Sequence, residues 1–182
     1  MKVIQFEDNI ILIEEFLSPK SCSSLIRRSE AIGYEKSKIQ LSNGQQVVNE
    51  SVRNNERILH FDMDLASIYW EKAKSYIPAK FGIYTAYGLN EMFRFYKYEK
   101  GQQFKMHADG SYTKNEHESS FFTFMIYLND DFEGGETVFE DKCVVKPKTG
   151  SLLLFYHPLR HQGNIVDAGF KYVLRTDVMY KK

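Results

Sequence analysis

Apolar and polar residues alternate imperfectly from Val3 to Phe16, in a stretch rich in Ile, which predicts one or two opening strands. Ser18-Pro19 then marks a helix start, with Ser18 as N-cap and Pro19 at the first helical position. Cys22, Leu25, Ile26 and Ser29 recur at helical spacing, Ile32 extends the stripe roughly, and Gly33 is placed to stop it. Between Tyr34 and Arg57 the chain is polar. There Ile39 with Leu41 and Val47 with Val48 flank Ser42-Asn43-Gly44-Gln45, a hairpin signal because both central positions of a type I′ turn need positive φ. Such a hairpin serves either as an ordinary surface loop or as a lid. A second helical period follows in Leu65, Ile68, Tyr69, Ala73, Tyr76 and Ile77, before Pro78, with Asp62 or Asp64 as its N-cap.

From Met92 onward aromatic and β-branched residues crowd into short runs: M-F-R-F-Y-K-Y, F-F-T-F-M-I-Y-L, E-T-V-F, S-L-L-L-F-Y and K-Y-V-L-R-T-D-V-M-Y. Gly101, Asn129-Asp130-Asp131, Gly134-Gly135, Pro147 with Gly150, and Gly163 with Gly169 separate them. Helices first and short antiparallel strands after predict an α+β domain with a sandwich or barrel core. The 182 residues fit one domain, and there is no internal repeat or linker.

Composition narrows the function classes. Hydrophobic residues at 43% and charged residues at 26% are globular values, and no apolar run approaches the roughly 20 residues that span a bilayer. Lys plus Arg and Asp plus Glu both number 24, so no net positive charge favours a nucleic-acid backbone; a small molecule or a peptide is the expected partner. The N-terminus lacks the pattern of a signal peptide, and Cys22 and Cys143 make neither a disulfide framework nor a cysteine metal site. A reducing, cytoplasmic setting is expected.

The stretch Tyr98 to Gly110 carries the chemistry. His107 and Asp109 stand two positions apart, so on an extended strand both project from one face. An imidazole and a carboxylate side by side supply two thirds of a 2-His-1-carboxylate triad, which holds Fe(II) and leaves coordination positions open. His161, fifty-two positions after Asp109, completes it if a later strand returns beside the first. A rival set, His60, Asp62 and His117, has similar spacing. Asp62 is better placed as a helix cap, and His117 lies in the polar segment Ser111 to Ser119, which has no strand pattern.

Four blocks in order resemble the prolyl 4-hydroxylase group of Fe(II)/2-oxoglutarate-dependent dioxygenases. They are Tyr98-x-x-Gly101-x-x-Phe104-x-x-His107-x-Asp109, where the family usually has Tyr at the 104 position; Tyr127-Leu128-Asn129 with Gly134-Gly135-Glu136-Thr137 and Phe139; Pro147-x-x-Gly150-x-Leu152-x-x-Phe155 ahead of His161; and Gly169-x-Lys171. Arg53-Asn54-Asn55-x-Arg57 extends the likeness loosely into the N-terminal half. The resemblance implies a double-stranded β-helix (a jelly-roll, cupin-like core) over 91–182, with 1–90 as a supporting region whose helices pack against one sheet. It implies that the His-x-Asp and the distal His come from opposite sheets.

By the same resemblance the metal ligands are His107, Asp109 and His161, with Fe(II) as cofactor, 2-oxoglutarate and O₂ as co-substrates, and ascorbate as an optional reductant. Lys171, helped by Tyr98 and Thr137, is implied to hold the far carboxylate of 2-oxoglutarate. Arg175 is the alternative cation, since other branches of the superfamily use an arginine; otherwise it pairs with Asp177 or a neighbouring strand. Roughly 13 Å of strand separates Lys171 from Arg175, so only one serves. Pro158 argues against a helix aligning His157 with His161, which leaves His157 beside the site or on the surface. Phe93, Phe95, Phe122 and Phe124 are either a dry wall of the site or plain core. The implied reaction is hydroxylation of a C–H bond, first of all in a prolyl residue of a peptide or protein, with succinate and CO₂ as co-products. A free amino acid or metabolite as substrate, a cupin-like metalloprotein without 2-oxoglutarate and a binding module on the same fold are the competing readings. Ile126 stands where some oxygen-sensing relatives carry Tyr, which disfavours that branch.

Overall fold

A computed structural model of the protein describes residues 1–37, 39–40, 46–47, 49, 53–141 and 143–182. The opening alternation becomes a hairpin in which β1 (Lys2–Glu7) pairs antiparallel with β2 (Ile10–Glu14). Helix α1 (Pro19–Ile32) starts as its sequence demands: Pro19 needs no N–H partner, and the Ser18 side chain accepts the Ser21 N–H at 3.1 Å. Gly33, at φ 90°, ends it. Its stripe buries Cys22, Leu25 and Ser29, while Ile32 falls off the stripe and is 49% exposed.

Three short strands follow, β3 (Glu35–Lys36), β4 (Ile39–Gln40) and β5 (Gln46–Val47), with Ile39 opposite Val47. The Asn43-Gly44 turn of the expected hairpin lies outside the described residues. Strand β6 (Glu56–Phe61) leads into α2 (Met63–Ala73), which Asp62 caps by accepting the Leu65 N–H at 2.9 Å. The face α2 buries is Ala66, Tyr69 and Ala73 rather than Ile68, which is 60% exposed.

The rest is strand: β7 (Lys80–Phe81), β8 (Tyr84–Leu89), β9 (Met92–Tyr98), β10 (Phe104–His107), β11 (Thr113–Asn115) and β12 (Glu118–Tyr127). After them come β13 (Glu133–Gly134), β14 (Thr137–Phe139), β15 (Val144–Val145), β16 (Leu152–Tyr156), β17 (His161–Gly163), β18 (Val166–Ala168) and β19 (Lys171–Lys181). The large sheet runs β1-β2-β16-β12-β19-β9-β6-β3, and a smaller one runs β10-β17-β14-β15. Strands from before residue 90 thus interleave with later ones: β2 lies beside β16, and β6 beside β9.

Alternation along the central strands separates two cores. Phe93, Phe95, Phe122, Phe124, Leu154 and Leu174 share one cluster with Cys22 and Leu25 of α1 and Ala66 and Tyr69 of α2. Tyr96, Tyr98, Tyr127, Leu153, Phe155 and Val173 share the other with Phe139 and Val145 of the small sheet. Each fully buried aromatic contributes about 1.5–3 kcal/mol, so a one-residue register slip, which exchanges the two faces, is strongly opposed. The four phenylalanines are therefore core on the helix side of the sheet, not a wall of the site. Tyr96 and Met125, next to Phe95 and Phe124 in sequence, pack in the cluster on the small-sheet side.

Candidate metal centre

The small sheet brings His107 and His161 together. They are register partners on neighbouring antiparallel strands, β10 and β17, with ring centroids 4.3 Å apart. The returning strand required by the spacing is present, but the two histidines lie on one sheet rather than on opposite sheets. Asp109 follows the end of β10, and its main-chain N–H bonds to the His157 carbonyl at 3.0 Å, which turns its side chain toward the two rings. One ligand atom from each of His107, Asp109 and His161 falls within 4.8 Å of the others.

Both imidazoles are held in the same tautomer. His107 Nδ1 lies 2.7 Å from the Lys105 carbonyl and His161 Nδ1 lies 2.9 Å from the Leu159 carbonyl. A carbonyl only accepts, so each Nδ1 carries the proton and each Nε2 turns a lone pair to the centre. Burial lowers the His161 pKa to about 4, which keeps it neutral. Phe104 stacks on the His107 ring with centroids 3.5 Å apart.

The Asp109 side chain is 4% exposed, and burial alone would raise its pKa. Arg175, followed by His107 and His161, outweighs that and holds the carboxyl well below the usual carboxylate range. Arg175 Nη1 lies 3.0 Å from Asp109 Oδ1, and Arg175 also meets Asp177 Oδ1 at 3.3 Å. Arg94, across from Arg175 in the register, donates to Asp177 Oδ2 at 3.0 Å. On the other side, Thr123 donates to Asp109 Oδ2 at 2.5 Å. The rival residues lie elsewhere. His60 is 3.4 Å from the capping Asp62, and His117 is an exposed turn residue beyond β11.

Lys171 stands on β19 and lines the same cavity, with Tyr96, Tyr98, Phe104, Thr137 and Arg175. Its ammonium is buried, donates to the Gly135 carbonyl at 2.6 Å, and lies over the rings of Tyr98 and Tyr127 at 5.3 and 5.7 Å. No carboxylate lies within salt-bridge distance of it among the described residues. Desolvation lowers its pKa to about 8, opposed only by the field of Glu136. Gly135 adopts φ 68°, and a Cβ there would stand 2.9 Å from Phe132 Cε2 and 3.2 Å from Lys171 Cδ, so glycine keeps this carbonyl within reach of the lysine. Thr137 Oγ1 bonds to the Tyr127 hydroxyl at 2.7 Å, and burial pushes the Tyr98 phenol up to about 12.

Sequence reasoning had not singled out Thr123, Ser120, Tyr127, Tyr96 or Arg53 as parts of this region. Arg53 is buried and packs its guanidinium on Tyr96 and Phe104, 4.4 and 4.5 Å from their centroids. Burial would raise the Tyr96 phenol, but Arg53, Arg175 and Arg94 together pull it below its ordinary value. The signal for Thr123 was present: it is the polar residue inside the run F-F-T-F-M-I-Y.

Residues 93–176 match the model of the 2OG-Fe(II) oxygenase superfamily. That match implies Fe(II) as cofactor with 2-oxoglutarate and O₂ as co-substrates, and two neutral Nε2 atoms beside one carboxylate suit that ion. The fold is shared with solved prolyl hydroxylases. The viral collagen prolyl hydroxylase of Paramecium bursaria Chlorella virus-1, in complex with 2-oxoglutarate, is 21% identical with a TM-score of 0.66, over 96% of this chain and 97% of that one. A Trichoplax adhaerens prolyl hydroxylase, bound to a hypoxia inducible factor peptide fragment, is 18% identical with a TM-score of 0.71, over 93% and 83%. A Pseudomonas putida prolyl-4-hydroxylase is 16% identical with a TM-score of 0.69, over 96% and 93%. No curated protein matches the chain by sequence. The resemblance read from the four sequence blocks is thereby borne out.

Proposed function

We propose that the protein hydroxylates a C–H bond of a prolyl residue in a peptide or protein, consuming 2-oxoglutarate and O₂ and releasing succinate and CO₂. The observation that carries this is the convergence of His107, Asp109 and His161 in one cavity with the buried ammonium of Lys171, which no carboxylate of the described residues holds. His107, Asp109 and His161 would hold the metal. Bound Fe(II) supplies the activation of O₂ and the oxidising power for C–H cleavage.

The chain's own residues bind and orient. Lys171, with the hydroxyls of Tyr98 and Thr137, is the docking point for the far carboxylate of 2-oxoglutarate. Arg175 is committed to Asp109 and Asp177, which leaves Lys171 as the cation with donors to spare. Tyr96, Tyr98, Phe104, Phe155 and Val173 keep the cavity dry, which strengthens each electrostatic contact inside it. The two sheets are the walls of a double-stranded β-helix, a reading supported by the TM-scores to solved prolyl hydroxylases. The peptide class of substrate is supported by the Trichoplax enzyme, which was solved with a peptide.

The test is succinate release from 2-oxoglutarate by anaerobically Fe(II)-loaded protein exposed to O₂, with and without a set of proline-containing peptides. Wild type should release succinate, His107→Ala should abolish it, and Lys171→Ala should raise the 2-oxoglutarate requirement. A prolyl peptide that stimulates turnover and gains 16 mass units, about one oxygen atom, would establish the substrate. Silence in turnover together with no 2-oxoglutarate binding to the Mn²⁺-loaded protein would overturn the proposal in favour of a metalloprotein that does not use this co-substrate.

A further inference from the structure

We infer that Ser120, His157 and Thr123 form a hydrogen-bonded chain of fixed polarity that positions the Asp109 carboxylate, which makes His157 a positioning residue of the metal centre. The inference rests on the reading of Asp109 as a metal ligand.

Four short bonds in series carry it. Thr123 Oγ1 lies 2.5 Å from Asp109 Oδ2 and 3.0 Å from His157 Nδ1. His157 Nε2 lies 2.9 Å from Ser120 Oγ, and Ser120 Oγ lies 2.8 Å from the Tyr112 main-chain nitrogen. The proton positions follow from the Asp109 end. An ionised carboxylate only accepts, so the Thr123 hydroxyl spends its one proton on Asp109 and must accept from His157 Nδ1–H. A main-chain N–H only donates, so Ser120 Oγ accepts from Tyr112 and is free to give its own proton to His157 Nε2. The Asp109 end assigns His157 its tautomer, with the proton on Nδ1, and the Ser120 end is compatible with it. In that polarity each donor of the three side chains and both ring nitrogens of His157 have a partner, which is what a buried polar network needs in order to stabilise rather than cost.

The main chain of residue 157 belongs to the same assembly. Its carbonyl accepts the Asp109 N–H at 3.0 Å, and its N–H donates to the Phe121 carbonyl at 2.9 Å. His157 thus grips Asp109 directly through its backbone and through Thr123 by its ring, and ties both to β12. Ser120, Thr123 and His157 are each no more than 1% exposed. Burying three polar side chains in a row between apolar strands has no packing advantage over Ala, Val and Phe at those places. The arrangement makes sense if the oriented carboxylate is what it serves. Thr123 on Oδ2 and Arg175 on Oδ1 occupy one acceptor site on each oxygen, which limits the ways the carboxylate can turn.

The experiment has two readouts that do not depend on turnover. In the metal-free wild type, ¹⁵N-detected NMR of the histidine side chains should show His157 protonated at Nδ1; protonation at Nε2 overturns the chain. Mn²⁺ affinity, by calorimetry or electron paramagnetic resonance, should weaken about 10- to 100-fold in Thr123→Val, as for loss of an outer-shell partner of a metal ligand. Thr123→Ser, which keeps the hydroxyl, should bind Mn²⁺ as wild type does. His157→Gln should fall between Thr123→Val and wild type, and 2-oxoglutarate affinity at saturating Mn²⁺ should stay within a few-fold in all three. Should Thr123→Val fail to fold, the tautomer of the wild type and the ranking of Thr123→Ser against His157→Gln decide. Folded Thr123→Val with Mn²⁺ affinity within twofold of wild type overturns the inference while the metal centre stands. Wild type that binds no Mn²⁺ overturns both.

Discussion

Replacing Lys171 by methionine should make the protein more stable and at the same time remove its 2-oxoglutarate site. The ammonium is buried, its only hydrogen bond among the described residues is to the Gly135 carbonyl, and burial has taken its pKa from 10.5 to about 8. That displacement, at about 1.36 kcal/mol per unit, means that holding the proton in the folded state at pH 7 costs about 3 kcal/mol relative to the unfolded chain. Methionine fills a similar volume without charge but leaves the carbonyl unpaired, at a cost of about 1–3 kcal/mol. The balance favours the variant by about 1 kcal/mol, or a rise in melting temperature of about 2–4 °C for a chain of this size. The sign of the pH dependence separates charge from packing. Between about pH 8 and 10.5 the folded lysine has released a proton that the unfolded one still holds, so wild type should gain stability across that window relative to Lys171→Met. Calorimetric titration of the Mn²⁺-loaded protein should show 2-oxoglutarate binding weakened by about 2–5 kcal/mol, the usual loss when one partner of a buried charge pair is truncated. A variant that melts several degrees below wild type, with no gain of wild type relative to it between pH 8 and 10.5, would refute the desolvation argument. One that binds 2-oxoglutarate within threefold of wild type would refute the assignment of the lysine.

Arg175→Met should let the Asp109 pKa rise, because burial then acts without the guanidinium, and Mn²⁺ binding measured from pH 8 to 5 should fail at a higher pH than in wild type. Gly135→Ala meets a positive φ and a Cβ position 2.9 Å from Phe132, so thermal melts should show a loss of about 1–3 kcal/mol, with weaker 2-oxoglutarate binding from the shifted Lys171. Ser18→Ala removes the α1 cap far from the cavity and should cost about 1 kcal/mol in denaturant titration, with succinate production by the Fe(II)-loaded protein unchanged.

The metal candidates were legible because each obeys a local rule. His107 and Asp109 are two apart on extended chain, and His161 follows a strong strand and a turn. Which polar residues stand behind them was hidden in the chain order, since Thr123 sits inside an apolar run of β12, Ser120 near that strand's start and His157 in the turn after β16. Spacing along one strand cannot report register between strands. Only the pairing of Thr123 with Phe155 and with Asp177 sets those side chains beside Asp109. The expectation of opposite sheets for the two histidines failed for the same reason: two strands separated by fifty residues are adjacent or apart depending on hydrogen bonds that the pattern does not encode.

Parity, in contrast, was in the sequence and decides more than it was asked to. If Tyr98 lines the cavity, period two on β9 sends Tyr96 and Arg94 to the same face and Phe93 and Phe95 to the other, which is the observed division of the cores. On β19 the same rule sets Lys171, Val173, Arg175 and Asp177 on the cavity side, and pairing β19 with β9 puts Arg175 opposite Arg94. Two arginines facing each other are tolerable only with an acid between them, and Asp177 supplies it at 3.0 and 3.3 Å. Arg175 is thereby fixed from one side and left a single further direction, toward Asp109. The two cations of β19 differ accordingly: the arginine is held by two carboxylates, one of them the candidate metal ligand Asp109, whereas the lysine four residues away has no carboxylate of the described residues beside it, which is the ground on which we propose it for the acid of the co-substrate.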